Sequence, residues 1–315
     1  MSHVASHPAV PAFSSAESWP ALPLNEWRAT RDTLHMWTQI VGKVRMELTP
    51  LVNHWWNVVL YVTARGLTTS PIPYRDRDFQ VDFDFIDHRL IIATSKDETV
   101  TMALEPKSVA EFYRDFMTTL SGLGIDVKIH PTPVEVPDPI PFEQDRVHNA
   151  YDPEYAQRFW RVLLSTDAVL KEFRGGFVGK SSPVHFFWGS FDHCVTRFSG
   201  RRAPERPGAD AITREAYSHE VISAGFWPGG GGVDDAAFYA YAAPEPEGFK
   251  KADVRPKQAF YHPKLNEYIL MYEDVRRASS PRAALMDFLQ STYDAGATLG
   301  HWDREALEVR REHGS

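Results

Sequence analysis

The segment SSPVHFFWGSFDHCVTRFSG concentrates the side chains of this chain that could do chemistry. It holds two histidines, His185 and His193, together with Asp192, Arg197 and the chain's one cysteine, Cys194. Histidine, aspartate and cysteine are ordinary ligands of zinc, and a histidine beside a carboxylate can act as a general base. The segment therefore raises two hypotheses, a metal site and an acid–base site.

The composition of this segment predicts a single strand over residues 184–197. Side chains alternate between the two faces of a strand, and each residue adds about 3.3 Å. His185 and His193 would then share a face about 26 Å apart, too far for one zinc ion with bonds of about 2 Å. Asp192 and His193 would point to opposite faces and could not form an acid–base pair. The sequence therefore predicts no metal site here.

Residues outside the segment offer a second way to assemble a site. His219 and Glu220 begin a strand predicted to neighbour the segment, and His54 begins a predicted strand in the first half of the chain. A structural role is the alternative for each histidine taken singly. Arg65 and Arg197 could bind an anionic ligand or form structural ion pairs. The candidate ligand-binding residues are His54, Trp56, Arg65, His185, Phe187, Arg197, His219 and Glu220.

Two segments resemble familiar catalytic motifs but do not match them fully. RGGFVGKSS lacks the first glycine of a phosphate-binding loop, because Arg174 stands there, and it leads from a helix into a strand rather than the reverse. HEVIS differs from the zinc-protease motif H-E-x-x-H in its last residue, Ser223. The G-x-S-x-G of a nucleophile elbow does not occur. Cys194, among aromatic residues, is interpreted as a buried small hydrophobe rather than a nucleophile.

Hydrophobic periodicity divides the chain into two similar halves. Each half is predicted as a helix, four strands and a second helix with mainly antiparallel sheet, which is an α+β fold. The helices are predicted at about 24–45, 107–124, 153–174 and 281–296. The predicted divisions are a disordered tail (1–22), an N-terminal half (23–130), a proline-rich linker (131–151), a C-terminal half (152–300) and a charged tail (301–315).

The two halves also share short sequence matches. VGK occurs at 41–43 and 178–180, and each is followed by a histidine and aromatic residues, in NHWW and VHFFW. An internal duplication and a coincidental match are both open. A duplication would place a ligand in a groove between the halves. Aromatic residues on both faces of the strands predicted at 54–64 and 184–197 imply that each face is covered, by the other half, a subunit or a bound apolar ligand.

Composition restricts the classes of partner and compartment. The net charge of −8 argues against a nucleic-acid binder, which needs a basic surface. The longest apolar run, WWNVVLYVTA, is about half of the roughly 20 residues that a membrane helix needs. One cysteine excludes an internal disulfide and is typical of a reducing compartment, and the N-terminus lacks the pattern of a signal peptide. We expect a soluble, cytoplasmic protein without a nucleic-acid or membrane partner.

Four long segments resemble a bacterial family of uncharacterised proteins, known only as a domain of unknown function. They are WPALPLNEWRATRDTLHMWTQIVGKVR, NHWWNVVLYVTARGLTTSPIPY, SPVHFFWGSFDHCVTRFSGRRAP and SHEVISAGFWPGGGG. The resemblance extends from about Trp19 to about Trp302. It implies a bacterial, soluble, stand-alone protein and brings no activity, cofactor or catalytic residue with it.

The residues support three hypotheses of function. The first is a small-molecule binding protein, or an enzyme of unknown reaction, with its site in the groove between the halves. The second is a non-catalytic module that forms a homodimer through a spare aromatic face. The third is a metal-dependent hydrolase that uses His219, Glu220 and further histidines, which requires at least three convergent ligands. The cofactor, the substrate and the catalytic residues stay unknown at this point.

Overall fold

A computed structural model describes residues 18–230 and 232–309 of the chain. Most of the predicted N-terminal tail (1–17) and the end of the predicted C-terminal tail (310–315) lie outside the described residues. Within the described ranges, no helix combines the length and the apolar character needed to cross a bilayer.

Four long helices begin at clear capping signals or at a proline. Ser108 accepts a hydrogen bond from the N–H of Glu111, whose carboxylate accepts from the N–H of Ser108 in a capping box. Asp152 and Ser280 each cap a helix whose first residue is proline. The helices are α1 (Leu24–Leu48), α2 (Val109–Gly122), α3 (Pro153–Gly175), the short α4 (Ala211–Ala216) and α5 (Tyr272–Arg276), the long α6 (Pro281–Leu299) and the short α7 (Arg304–Leu307).

The first sheet is an antiparallel meander between α1 and α2. Its strands are β1 (Tyr61–Val62), β2 (Gly66–Thr68), β3 (Ile72–Tyr74), β4 (Arg77–Asp84), β5 (Arg89–Thr94) and β6 (Thr99–Ala103). They pair in the order β1-β2-β4-β5-β6, and β3 also pairs with β4. Every second residue of β4 from Phe79 to Phe83 is apolar, and Phe79, Val81 and Phe83 are buried.

The second sheet is an antiparallel meander between α3 and α6. Its strands are β7 (His185–Phe187), β8 (Asp192–Arg202), β9 (His219–Trp227), β10 (Ala237–Ala243), β11 (Phe260–His262) and β12 (Glu267–Met271), paired in the order β11-β12-β10-β9-β8-β7. Two main-chain hydrogen bonds between Leu60 and Phe186, of 2.8 and 2.9 Å, join the edge of this sheet to the chain beside β1.

The predicted α+β class with antiparallel sheets is confirmed. The strand count was wrong, because each half contains six strands rather than four. Strands β1, β2, β3, β7 and β11 have only two or three residues, which is too short for an alternating pattern to identify them. The four long helices match their predictions to within about three residues, because capping signals and amphipathic periodicity are local.

The segment 184–197 is a hairpin, not the single strand predicted from it. A turn at 188–191 separates β7 from β8. The register pairs His185 with Cys194, so these two side chains lie on the same face of the sheet. His193 lies on the opposite face. The prediction that the two histidines share a face was wrong because it assumed an unbroken strand.

The strand predicted at 54–64 is mostly irregular. The backbone forms a 3-10 turn at Asn53–Trp55, and strand structure is limited to Tyr61–Val62. In the turn, His54 and Trp55 have φ angles of 58° and 61°, in the left-handed region that side-chain-bearing residues rarely adopt. Aromatic and β-branched composition predicted a strand here, but non-local contacts impose a turn.

The two VGK segments adopt different structures. Residues 41–43 lie inside α1, whereas residues 178–180 lie in the loop after α3. His54 lies in a turn, and His185 begins β7. The halves share the order helix, meander, helix, but these short matches do not fall at equivalent positions of it.

Helices α3 and α6 cover one face of the second sheet. Phe159 of α3 packs edge-on against Phe186, with ring centroids 6.2 Å apart. On the same face, the guanidinium of Arg197 lies 3.5 Å from the ring centroid of Phe173 in α3 and 4.2 Å from that of Tyr293 in α6. The opposite face of this sheet is therefore left to other segments of the chain.

Two residues that precede α1 also belong to the core, although the sequence analysis places them in the N-terminal tail. Trp19 and Leu22 are buried. The ring of Trp19 lies 6.5 Å from that of Phe238 and 6.3 Å from that of Tyr272. Aromatic packing against the second sheet thus extends the core beyond the first helix.

Candidate functional site

The face of the second sheet that points away from α3 and α6 forms the floor of a cavity of about 640 Å³. Side chains from α1, from the turn after it, from linker residues 134–135 and from the α4 segment (residues 203–218) complete the lining. Both predicted halves and the linker therefore meet at this cavity. The polar floor consists of Asp192, Cys194, Thr196, Ser223, Tyr239 and Tyr241.

Asp192 is the central polar group of the floor. Its carboxylate accepts hydrogen bonds from the hydroxyls of Ser190 and Tyr239. Burial raises the pKa of Asp192. Burial, together with the neighbouring Asp192, raises the pKa of Tyr239 well above its usual value. Tyr239 therefore stays protonated at neutral pH, and its hydroxyl donates a hydrogen bond to the carboxylate.

Gly225 on β9 makes this hydrogen bond possible. A Cβ at position 225 would lie 2.6 Å from the carbonyl oxygen of His193, 2.7 Å from Cβ of Cys194 and 2.7 Å from Oη of Tyr239. Contacts this short would force the neighbouring strand or the tyrosine to move. The absence of a side chain at Gly225 thus lets the Tyr239 hydroxyl lie over β9 and reach Asp192.

Hydroxyl groups continue the floor beyond the carboxylate. The hydroxyl oxygens of Thr196 and Ser223 are 2.9 Å apart, and those of Tyr217 and Tyr241 are 3.1 Å apart. Cys194 is buried as predicted, and burial followed by Asp192 raises the pKa of its thiol well above the usual value. The floor therefore presents neutral hydrogen-bonding groups around one buried carboxylate.

Two further carboxyl groups lie near Asp192. Glu135 lies at the rim of the cavity, and desolvation of its carboxyl, followed by the nearby Asp192, raises its pKa. A Cβ at Gly189 would lie 2.6 Å from Oε1 of Glu135, so glycine leaves room for this carboxyl. Glu267 on β12 lines an adjoining pocket that shares Tyr241, and burial followed by Asp192 raises its pKa to about 7.

Aromatic side chains form the walls of the cavity. They are Trp55, Trp56, Phe187 and Trp188. The indole N–H of Trp188 donates to a main-chain carbonyl at 2.7 Å. A Cβ at Gly42 of α1 would lie within 2.5 Å of three atoms of this indole. Direct contact with the helix backbone therefore fixes the Trp188 wall.

Helix α1 also holds the linker against the cavity. Lys43, which lines the cavity, donates to the carbonyl oxygens of Thr132 at 2.7 Å and His130 at 3.2 Å. Burial lowers the pKa of Lys43 to about 8. One turn earlier, the amide of Gln39 exchanges hydrogen bonds of 2.8 and 2.9 Å with the main chain of Val134.

His54 connects the strained turn to the α4 segment. Its Nδ1–H donates to the carbonyl oxygen of Glu215 at 3.0 Å, and its main-chain N–H donates to the carboxylate of Glu215 at 3.1 Å. Lys180 donates to Nε2 at 2.7 Å. Burial and Lys180 lower the pKa of His54, so the imidazole is neutral at neutral pH. These contacts hold the left-handed backbone of His54 and Trp55 in place.

Several candidate residues of the sequence analysis meet at the cavity. His54, Trp56 and Phe187 line it. His185 lies on the same side of the sheet, fully buried, with its ring 4.7 Å from that of Phe187 and 6.4 Å from that of Trp56. Neither ring nitrogen of His185 has a hydrogen-bond partner in the described part of the chain, and burial lowers its pKa to about 3. The ring of His219 lies 5.8 Å from that of His54.

The structure places the other three candidates elsewhere. Arg65 pairs with Asp84 on the first sheet at 2.8 Å, which is the structural ion pair that the sequence left as an alternative. Arg197 lies on the helix-covered face and donates to a main-chain carbonyl of α3, and burial lowers its pKa to about 10. Glu220 pairs with Arg201 at 2.7 Å.

His193, on the helix-covered face of the second sheet, lies close to a carboxylate. Nε2 of His193 lies 3.3 Å from Oδ1 of Asp167 in α3, within ion-pair distance but without the geometry of a hydrogen bond. Across residues 18–230 and 232–309, no group of three or more His, Cys, Asp and Glu side chains is placed to hold a metal ion.

Sequence reasoning missed most of the polar floor. Asp192, Tyr239, Tyr241 and Ser223 were not selected as site residues, and neither was Glu135. The available signal was alternation, because DHCVT and AFYAYAA place polar groups at every second position. Which face those positions share depends on the strand register, which the sequence does not reveal.

Comparison with known proteins places the chain in a family. A family model described as a family of unknown function (DUF5996) matches residues 19–309. The chain belongs to DUF5996. The resemblance predicted for nearly the whole chain is thereby confirmed. No curated protein and no solved structure shows a significant match to the chain. The function of this DUF5996 protein has to be argued from the cavity itself.

Proposed function

We propose that this DUF5996 protein binds a small organic molecule in the cavity above the second sheet, as a binding protein or as an enzyme. The observation that carries the proposal is the convergence of buried hydroxyl and carboxyl groups on a floor enclosed by aromatic walls. Small-molecule sites are typically cavities of about 300–1,000 Å³ with mostly apolar walls and a few placed polar groups. The volume of about 640 Å³ lies within this range.

The floor supports hydrogen bonding and proton transfer. Asp192 and Tyr239 share a hydrogen bond, and both face the cavity. A ligand that is transformed at this floor would meet a buried carboxylate as its base. The raised pKa of Cys194 keeps that thiol protonated, so it is a poor nucleophile.

We also propose a cytoplasmic location. Cys194 is the one cysteine of the chain and is a free thiol. Such a composition is typical of reducing compartments.

The test of binding uses a cavity-blocking variant and a matched control on the same helix. Ala216 of α4 lines the cavity, whereas Ala211 of α4 is exposed and lies outside the lining. We expect Ala216→Trp to fill the cavity and Ala211→Trp to leave it open. Native mass spectrometry of untagged protein would detect a retained ligand, and saturation-transfer NMR against a fragment library would detect weak binders.

The proposal predicts fragments or a retained molecule that bind the wild type and the Ala211→Trp variant but not the Ala216→Trp variant. Circular dichroism would establish that both variants are folded. Binding that Ala216→Trp leaves intact would place the site elsewhere. The absence of any cavity-dependent binder would refute the proposed function.

A further inference from the structure

We infer that the ligand of this cavity is an organic cation, namely a protonated amine on an aromatic or aliphatic body. The inference rests on the proposed function, because it names the class of molecule that the same cavity binds. Three independent observations support it: an uncompensated group of carboxyls, aromatic walls, and a buried neutral histidine beneath those walls.

The first observation is a group of carboxyls in and beside the cavity, with Asp192 on the floor, Glu135 at the rim and Glu267 in the adjoining pocket. Asp192, Glu135 and Glu267 form no ion pair with a lysine or arginine anywhere in residues 18–230 and 232–309. Asp192 contributes to raising the pKa of each of the other two, as expected for like charges that share a site. Such a group is stabilised by taking up a proton or by a cation from outside the chain.

The second observation is the nature of the walls. Trp55, Trp56, Phe187 and Trp188 form these walls, and the tyrosines of the floor add further aromatic rings. Aromatic faces attract ammonium groups through their quadrupole, and tryptophan is the most effective. This chain already uses that interaction, since Nζ of Lys180 lies 5.5 Å from the ring centroid of Trp56. Aromatic walls around a carboxylate form an environment in which an organic ammonium is favoured.

The third observation is His185. It is fully buried on the cavity side of the sheet, next to Phe187, and both its ring nitrogens lack a partner. An unpaired polar group in the interior destabilises the folded state, typically by as much as the hydrogen bond it lacks. With a pKa lowered to about 3, the imidazole is neutral and does not repel a cation. His185 does not itself line the cavity, but its ring packs against Phe187, which does, so a cation bound beside Phe187 meets no opposing charge there.

An anionic ligand has weaker support. Lys43 is the cationic side chain among the described residues that line the cavity, and two main-chain carbonyls already accept hydrogen bonds from its Nζ. His54 is neutral because burial and Lys180 lower its pKa. An anion at the floor would face Asp192 without a free cation to offset the repulsion.

The experiment compares compounds that share an apolar body and differ in the head group. Each body carries an ammonium, a hydroxyl or a carboxylate, for example 2-phenylethylammonium, 2-phenylethanol and 3-phenylpropanoate. Binding to the full chain at neutral pH and low salt is measured by saturation-transfer NMR and calorimetry. The Ala216→Trp variant again identifies the binders that occupy the cavity.

Two variants that each remove a carboxyl charge, and one control variant, test which carboxyls bind the ammonium group. Glu135→Gln removes a carboxyl that has no hydrogen-bond partner within residues 18–230 and 232–309, so the fold should be unaffected. It should weaken ammonium binding roughly two- to fivefold, as for a solvent-reached ion pair. Asp192→Asn should weaken it roughly ten- to a hundredfold, as for a buried charge-assisted hydrogen bond. Asp138→Asn removes an exposed charge from the same linker and should change nothing.

The expected result is that the cavity-dependent binders are mainly ammonium compounds and that Glu135→Gln weakens them more than Asp138→Asn does. Cavity-dependent alcohols or carboxylates that bind as tightly as the matched ammonium would overturn the inference and leave the proposed function standing. Ammonium binding that is unchanged in Glu135→Gln and in a folded Asp192→Asn would overturn it as well. No cavity-dependent binder of any charge would overturn the proposed function itself.

Discussion

Replacing Gly42 by alanine tests how α1 shapes the cavity wall. Alanine is favoured over glycine inside a helix by about 1 kcal/mol, so propensity alone predicts a more stable protein. The new Cβ, however, would lie within 2.5 Å of three indole atoms of Trp188, which is buried and hydrogen-bonded. Overpacking of this kind costs about 1–3 kcal/mol, and the lost hydrogen bond about 1 kcal/mol. The free energy of unfolding should therefore fall by about 1–3 kcal/mol.

The matched control is Gly175→Ala near the end of α3. A Cβ there meets no atom within 4 Å, so the same substitution should raise the free energy of unfolding by about 0.5 kcal/mol. Urea unfolding followed by circular dichroism measures both variants. Near-ultraviolet circular dichroism of folded Gly42→Ala should also differ from wild type, because Trp188 has to move. A Gly42→Ala variant as stable as wild type would refute the steric argument.

Three further predictions separate structural from binding roles. Arg197→Lys should lower the free energy of unfolding by about 2–4 kcal/mol, because lysine cannot reproduce the guanidinium contacts to Phe173 and Tyr293. The same variant should leave ligand binding in the cavity unchanged. A loss of binding in a stable variant would contradict this prediction. Between pH 6.5 and about 3, His185 is protonated in the unfolded state but not in the folded state, so this group lowers the free energy of unfolding by up to about 1.4 kcal/mol for each unit by which the pH decreases. The free energy of unfolding of His185→Phe should therefore depend less steeply on pH in this range. Parallel curves for the variant and the wild type would contradict the assignment. Cys194 lines the cavity, but the raised pKa of its thiol keeps it protonated, so it should react with a thiol reagent much more slowly in the native protein than in urea, and equal rates would contradict this.

The long helices could be predicted from the sequence because their signals are local. Asp152 before Pro153 and Ser280 before Pro281 mark where two of them begin. The hairpin at 185–202 was missed, because Trp188 and Phe191 begin and end its turn and extend the aromatic strand-like run, although Gly189-Ser190 between them is a pair that favours a tight hairpin turn. Hydrophobic composition alone does not distinguish one long strand from two short ones.

The candidate site was predictable only in part. His54, Trp56 and Phe187 were selected for their residue types, and they line the cavity. Asp192 was set aside because an unbroken strand would point it away from His193. Tyr239 carried only the alternation of its strand and Glu135 carried no local signal, since strand pairing brings Tyr239 to Asp192 and a linker that packs on α1 brings Glu135 near it. Proximity that arises from non-local pairing is the information that a single sequence lacks.

Several features of this cavity lower the stability of the fold rather than raise it. Within residues 18–230 and 232–309, the buried Asp192 has no cationic partner and the buried His185 has no hydrogen-bond partner for either ring nitrogen. His54 and Trp55 hold a left-handed backbone that glycine would adopt with less strain. Each feature is unfavourable by about 1–3 kcal/mol, and all of them meet at one cavity. Departures from local rules that cluster in this way are typical of functional sites, where a ligand supplies the missing interactions.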